Sequence, residues 1–119
     1  MTDRSFEALR EEVRAFTQAR DWAQFHTPKN LVMALSVEAS ELMERFQWLT
    51  PEQSSTLDAT RRTEVEQEIG DVMIYLIRLA DVLEIDLPNA VRSKMRINET
   101  KYPVEKSRGI AAKYDELAK

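Results

Sequence analysis

Cysteine is absent from the chain, which excludes disulfides and thiolate zinc sites and fits a reducing compartment. Histidine occurs once, at His26, and a single imidazole cannot by itself make a metal site. With two glycines and four prolines in 119 residues, there is little material for hairpin turns. No apolar stretch approaches the ~18 residues that a membrane span needs, and the N-terminus lacks a charged-then-apolar signal pattern. A cytoplasmic protein with no membrane partner is therefore expected. Basic charge is in deficit too. The formal net charge of -4 argues against a general nucleic-acid binder, whose phosphate contacts need a basic face.

What the chain does contain is helix-forming material. Hydrophobic residues make up 43% and charged residues 32%, enough for a small core in one domain spanning residues 1–119. Four helical segments follow from apolar recurrence every three or four residues. The first covers about Ser5 to Arg20 on Phe6, Leu9, Val13 and Phe16. Asp21 to Lys29 breaks the period and, with Trp22, Phe25, His26 and Pro28, reads as an ordered loop. The second runs from about Asn30 to near Trp48, with a stripe of Leu31, Leu35, Leu42, Phe46 and Leu49. The third, about Thr60 to Glu84, is nearly apolar all round between Ile69 and Leu83, so burial on more than one side is expected. Asp86 caps a fourth, limited by Pro103, on which Lys94, Asn98 and Tyr102 share a face. Residues 104–119 read as an extended tail. Short connections imply an all-α, antiparallel four-helix bundle, and the surplus apolar surface of the third helix implies a homo-oligomer.

Two acidic pairs stand out from this background. Glu38 with Glu41, and Glu68 with Asp71, have i,i+3 spacing on different helices, each inside or beside an apolar run. Among 21 acidic residues some such pairs arise by chance, and Asp81 with Glu84 or Glu41 with Glu44 read as solvated surface. The embedded pairs do not, because an ionised carboxylate in apolar surroundings costs several kcal/mol unless compensated. Antiparallel packing would gather all four around one or two divalent cations. A carboxylate set without thiolate or imidazole suits magnesium, which prefers hard oxygen ligands and substrate phosphates.

With these residues in view, the chain resembles the MazG-like all-α nucleoside triphosphate pyrophosphohydrolases, whose signature is ExxE followed by ExxD. The likeness extends to the dCTP pyrophosphatase branch through Arg20 to His26, Phe46-Gln47-Trp48, Asp71 to Leu76, Asp86-Leu87-Pro88, and Ser93 to Asn98 with Tyr102-Pro103. It implies magnesium-dependent hydrolysis of the α-β phosphoanhydride of a nucleotide, in the service of nucleotide-pool sanitation. It implies Glu38, Glu41, Glu68 and Asp71 as catalytic metal ligands. Lys94, Asn98 and Tyr102 would lie near the phosphates, and Trp22, His26, Trp48 and Tyr75 would form the base and sugar pocket. Family members are dimers or tetramers.

The resemblance is not uniform. The vertebrate dCTP enzymes have arginines where this chain has Glu99 and Thr100, and a histidine where it has Val13. These departures bear on substrate selectivity rather than on the carboxylate set. Two other readings stay open from the residues: a different nucleotide specificity, such as dUTP or a phosphoribosyl nucleotide, and a non-enzymatic helical oligomer with structural acids.

Overall fold

The computed structural model describes residues 5–117, and every regular element among them is helical. In chain order these are α1 (Phe6–Ala19), a single 3-10 turn (Ala23–Phe25), α2 (Pro28–Glu44), α3 (Pro51–Ser54), α4 (Ala59–Val82), α5 (Leu87–Lys101), α6 (Val104–Ser107) and α7 (Tyr114–Leu117). They fall into two compact units, Met1–Ile85 and Asp86–Lys119. No helix among the described residues is long and apolar enough to cross a membrane.

The helix starts are written in short polar side chains. Ser5, Thr27, Asp58 and Asp86 each accept a hydrogen bond from the backbone N–H three residues on, satisfying a donor that the first turn leaves unpaired. Thr50 and Gln53 form a reciprocal capping box at α3. Pro28 does not belong to the ordered loop in which the sequence places it. It sits in the first turn of α2, where its missing N–H is no loss and its fixed φ favours the helix.

Two helices stop in the same way. Asp21, after α1, and Glu84, after α4, have φ of 53° and 57°, a left-handed conformation usually taken by glycine. The following N–H groups close the turns, Trp22 onto the Thr17 carbonyl and Ile85 onto the Ala80 carbonyl. The α1 stop also brings Trp22 back against Phe16, edge to face at 5.8 Å.

α2 ends four residues before Trp48, at Glu44, and residues 45–49 continue as tight turns. Those turns keep Phe46 and Leu49 half-buried, so the apolar period runs on after the helix has stopped.

In the first unit α2 packs along α4, and α1 packs against α4. α2 and α4 are antiparallel: Arg45, just past the end of α2, pairs with Glu64 and Glu68 early in α4, while His26, just before α2, meets Arg78 late in α4. The core is small, made by Val13, Leu31, Val65, Ile77 and Ala80. Leu31 and Ile77 are its largest fully buried side chains. Ile77→Ala should therefore lower stability by about 2–5 kcal/mol, read as a fall in the denaturant midpoint at unchanged slope.

The apolar face of α4 is only partly covered. Ile69, Met73 and Ile74 stay exposed, as do Val32, Met33 and Val37 on α2. In the second unit, α5 is followed by two single-turn helices, α6 and α7, so the stretch expected to be extended carries local helical turns.

Candidate active site

The carboxylates of Glu38, Glu41 and Glu68 come together across the α2–α4 seam, with ligand oxygens all within 4.8 Å of one another. Glu38 and Glu41 lie one helical turn apart on α2, and Glu68 faces them from α4. Glu68 is buried, at 8% exposure. One of its oxygens accepts a hydrogen bond from Arg45 at 3.1 Å, and Arg45 also binds Glu64 at 3.1 Å. The other oxygen of Glu68, and Oε2 of Glu38, are buried without a hydrogen-bond partner. Buried polar atoms are rarely left so, and two in one carboxylate cluster are compatible with a divalent cation there.

Electrostatics agree with that geometry. Burial pushes the Glu38 carboxyl up to about 7, aided by the adjoining Glu41 carboxyl and by the charges of Asp71 and Glu68. Negative charge is thus crowded around Glu38.

Asp71 departs from expectation. It is exposed and stands outside the close trio, although its charge is felt at Glu38. Three residues along a helix advance about 300° and 4.5 Å, so with Glu68 turned into the seam Asp71 falls at its rim.

The aromatic candidates separate into distinct places. His26 and Tyr75 meet edge to face, with centroids 6.5 Å apart, and both are half-buried. Trp22 is held against Phe16, beside Arg20, whose guanidinium lies 3.6 Å over the Phe16 ring. Trp48 is 86% exposed and lines a cleft of about 210 Å³ with Glu44, Arg45, Leu49, Arg61 and Glu64. The cleft shares Arg45 with the acidic cluster. In the second unit Lys94, Asn98 and Tyr102 follow one another at four-residue spacing along α5 and its C-terminal cap, where the Tyr102 N–H donates to the Asn98 carbonyl at 2.7 Å.

The MazG-like family model matches residues 33–117, a span that takes in the carboxylate cluster, Trp48 and the α5 candidates. The chain belongs to the MazG-like family. It is 43% identical to dCTP pyrophosphatase 1 of Rattus norvegicus over 115 residues, covering 95% of this chain and 68% of that protein. Identity to dCTP pyrophosphatase 1 of Homo sapiens is 42% over the same length. A crystal structure of a pyrophosphatase from Archaeoglobus fulgidus superposes with a TM-score of 0.79 at 43% identity, covering 87% of this chain and 96% of that one.

Against this MazG-like background, the structure also reveals residues that sequence reasoning passed over. Asp81, read as half of a chance surface pair, is nearly buried: its carboxylate receives the Arg14 guanidinium through two nitrogens and Arg78 Nη1 at 3.2 Å. Those arginines hold its carboxyl below the usual carboxylate range, the Arg14 hydrogen bonds contributing most, and Asp81 in turn raises Arg14. The available signal was Arg78 itself, the sole basic residue between Arg62 and Arg92. Arg45 had no such signal, since an arginine at a helix end is commonplace.

Proposed function

We propose that this MazG-like protein is a magnesium-dependent nucleoside triphosphate pyrophosphohydrolase that cleaves dCTP, or a close relative of it, to the monophosphate and pyrophosphate. The observation that carries the reading is the close trio of buried Glu68 with half-buried Glu38 and Glu41, two of whose oxygens lack partners, in a chain whose relatives bear the name dCTP pyrophosphatase. Those three carboxylates, with Asp71 at the rim, would hold the cation. All are hard oxygen donors, as magnesium prefers. When bound, the cation supplies positive charge to the triphosphate oxygens and activates water for attack.

The remaining roles fall to the chain's own side chains. Arg45 fixes one oxygen of Glu68 and leaves the other free to face the cation, as supporting residues around metal ligands generally do. Trp48 offers an open indole face for a base, and stacking tolerates a site without basic charge. By the family resemblance, Trp22, His26 and Tyr75 are proposed for the base and sugar, and Lys94, Asn98 and Tyr102 for the phosphates. A second copy of the chain would cover the exposed apolar residues of α2 and α4, giving a dimer or tetramer. The cysteine-free composition suits work on nucleotide pools in the cytoplasm.

The test is a nucleotide panel of dCTP, its 5-modified forms, dUTP, the other triphosphates and a phosphoribosyl nucleotide, assayed for pyrophosphate and for inorganic phosphate. The expected result is magnesium-dependent pyrophosphate release, greatest with a cytosine deoxynucleotide. Release of inorganic phosphate alone, or no release with any nucleotide, would overturn the reading.

A further inference from the structure

His26 is bound from behind by a charged assembly that the proposed chemistry does not require. Arg78 on α4 is 6% exposed, and its Nε–H donates to His26 Nδ1 at 3.2 Å. A guanidinium has no lone pair to offer, so the ring nitrogen facing it must be the unprotonated one. In a neutral imidazole the proton then resides on Nε2. The guanidinium is aimed by Asp81, which accepts from Arg78 Nη1 at 3.2 Å and from Arg14 Nε at 2.9 Å. Arg14 and Arg78, with Arg10 also acting on Asp81, outnumber its one negative charge. The site behind the ring therefore resists an imidazolium. Consistently, burial and then Arg78 hold His26 below the ordinary histidine range. The ring meets Tyr75 and Arg78 from α4; behind Arg78 stand Asp81 and, from α1, Arg14, with Arg10 acting on Asp81, while Lys29 on the ring's own segment is exposed.

We propose that Arg78, anchored by Asp81 and Arg14, is a positioning residue that fixes His26 as the neutral Nε2–H tautomer, so that His26 can serve the pocket only as a donor to an acceptor oxygen of the nucleotide. This rests on the reading of His26 as a pocket residue. The assembly ties α1, the entry to α2 and α4 through contacts between residues 67 and 52 positions apart, which makes the ring's orientation a property of the fold rather than of a loop. A site built to donate to an oxygen leaves its N–H unpaired against a nucleotide lacking that oxygen, and discriminates on that ground.

His26 is the only histidine of this sequence, so nitrogen NMR of the chain reads it without assignment. The expected spectrum shows an unprotonated Nδ1 and a protonated Nε2, with a titration midpoint below the ordinary histidine value. Arg78→Met, which leaves Asp81 paired with Arg14, should give a mixture of tautomers, move the midpoint up, and raise KM about five- to tenfold with a smaller change in kcat. Arg78→Lys, which restores charge and donor, should recover part of both. A wild-type Nδ1–H tautomer, or an ordinary midpoint, would overturn the proposal without any variant being needed. So would a folded Arg78→Met with unchanged tautomer and KM. His26→Ala with unchanged KM would overturn the pocket assignment while the tautomer result stands, and a wild type that releases no pyrophosphate would locate the failure in the proposed function instead.

Discussion

Glu38→Gln should reduce pyrophosphate release at saturating magnesium by at least about a hundredfold, the upper end of what disturbing even a supporting group of a metal site brings, while leaving the metal-free fold as stable as the parent or more so. Glutamine keeps the shape of the protonated acid and deletes the anionic oxygen. Because the Glu38 carboxyl is raised to about 7, the parent already carries much of it in neutral form near neutral pH, so the substitution removes repulsion without opening a cavity. The same shift sets the sign of the pH dependence. A folded-state value above the unfolded one means that the folded chain binds this proton more tightly, so stability without metal falls as pH rises from about 4.5 through about 7. His26, depressed in the folded state, has the opposite effect, but its contribution is complete above about 6.5. Melting temperatures between pH 6.5 and 8 in chelator should therefore decline in the parent and stay flat in Glu38→Gln, and magnesium should reverse the decline. Activity of Glu38→Gln within threefold of the parent would remove the carboxylate from the machinery.

Trp48→Ala should raise KM by roughly five- to 150-fold, from the ~1–3 kcal/mol that stacking on one base contributes, with a much smaller change in kcat. A ring remote from the reacting phosphorus touches ground state and transition state about equally, so its loss weakens binding uniformly. For a core tryptophan this would be obscured by a stability loss of ~3–5 kcal/mol. At 86% exposure Trp48 is no core residue, and the melting temperature should move little. Sedimentation of the variant separates a lost stacking surface from a lost subunit contact. An unchanged KM with an intact assembly would withdraw Trp48 from the pocket and, with it, the main structural reason for naming a base-reading site.

Much of this was legible in the chain because helices leave a periodic trace. Leu31, Leu35, Leu42, Phe46 and Leu49 are all buried or half-buried, as their spacing requires, and Asp58 and Asp86 mark the starts of α4 and α5. The errors are those of local reading. Pro28 reads as part of the loop because Thr27, the cap that turns proline into an opening residue, carries a weak signal alone. The apolar period points to an α2 end later than the observed one because tight turns preserve that period after the helix stops. Glu38, Glu41 and Glu68 were found since an acid in an apolar stripe is conspicuous. Asp81 was missed because its chief partner, Arg14, is 67 residues away, and tertiary pairing leaves no periodic trace. Trp48, Trp22 and the His26–Tyr75 pair were expected in one pocket. A single copy of the chain places Trp48 in a cleft of its own, and spacing along a chain says nothing of what a second copy brings.

The central claim, a hydrolase directed at the α-β anhydride, is tested most directly by hydrolysis of dCTP with magnesium in heavy-oxygen water, followed by mass spectrometry of every product. The account predicts one heavy oxygen in the nucleoside monophosphate and none in pyrophosphate, since water attacks the α-phosphorus. Heavy oxygen in pyrophosphate, or in inorganic phosphate released directly from the triphosphate, would contradict it.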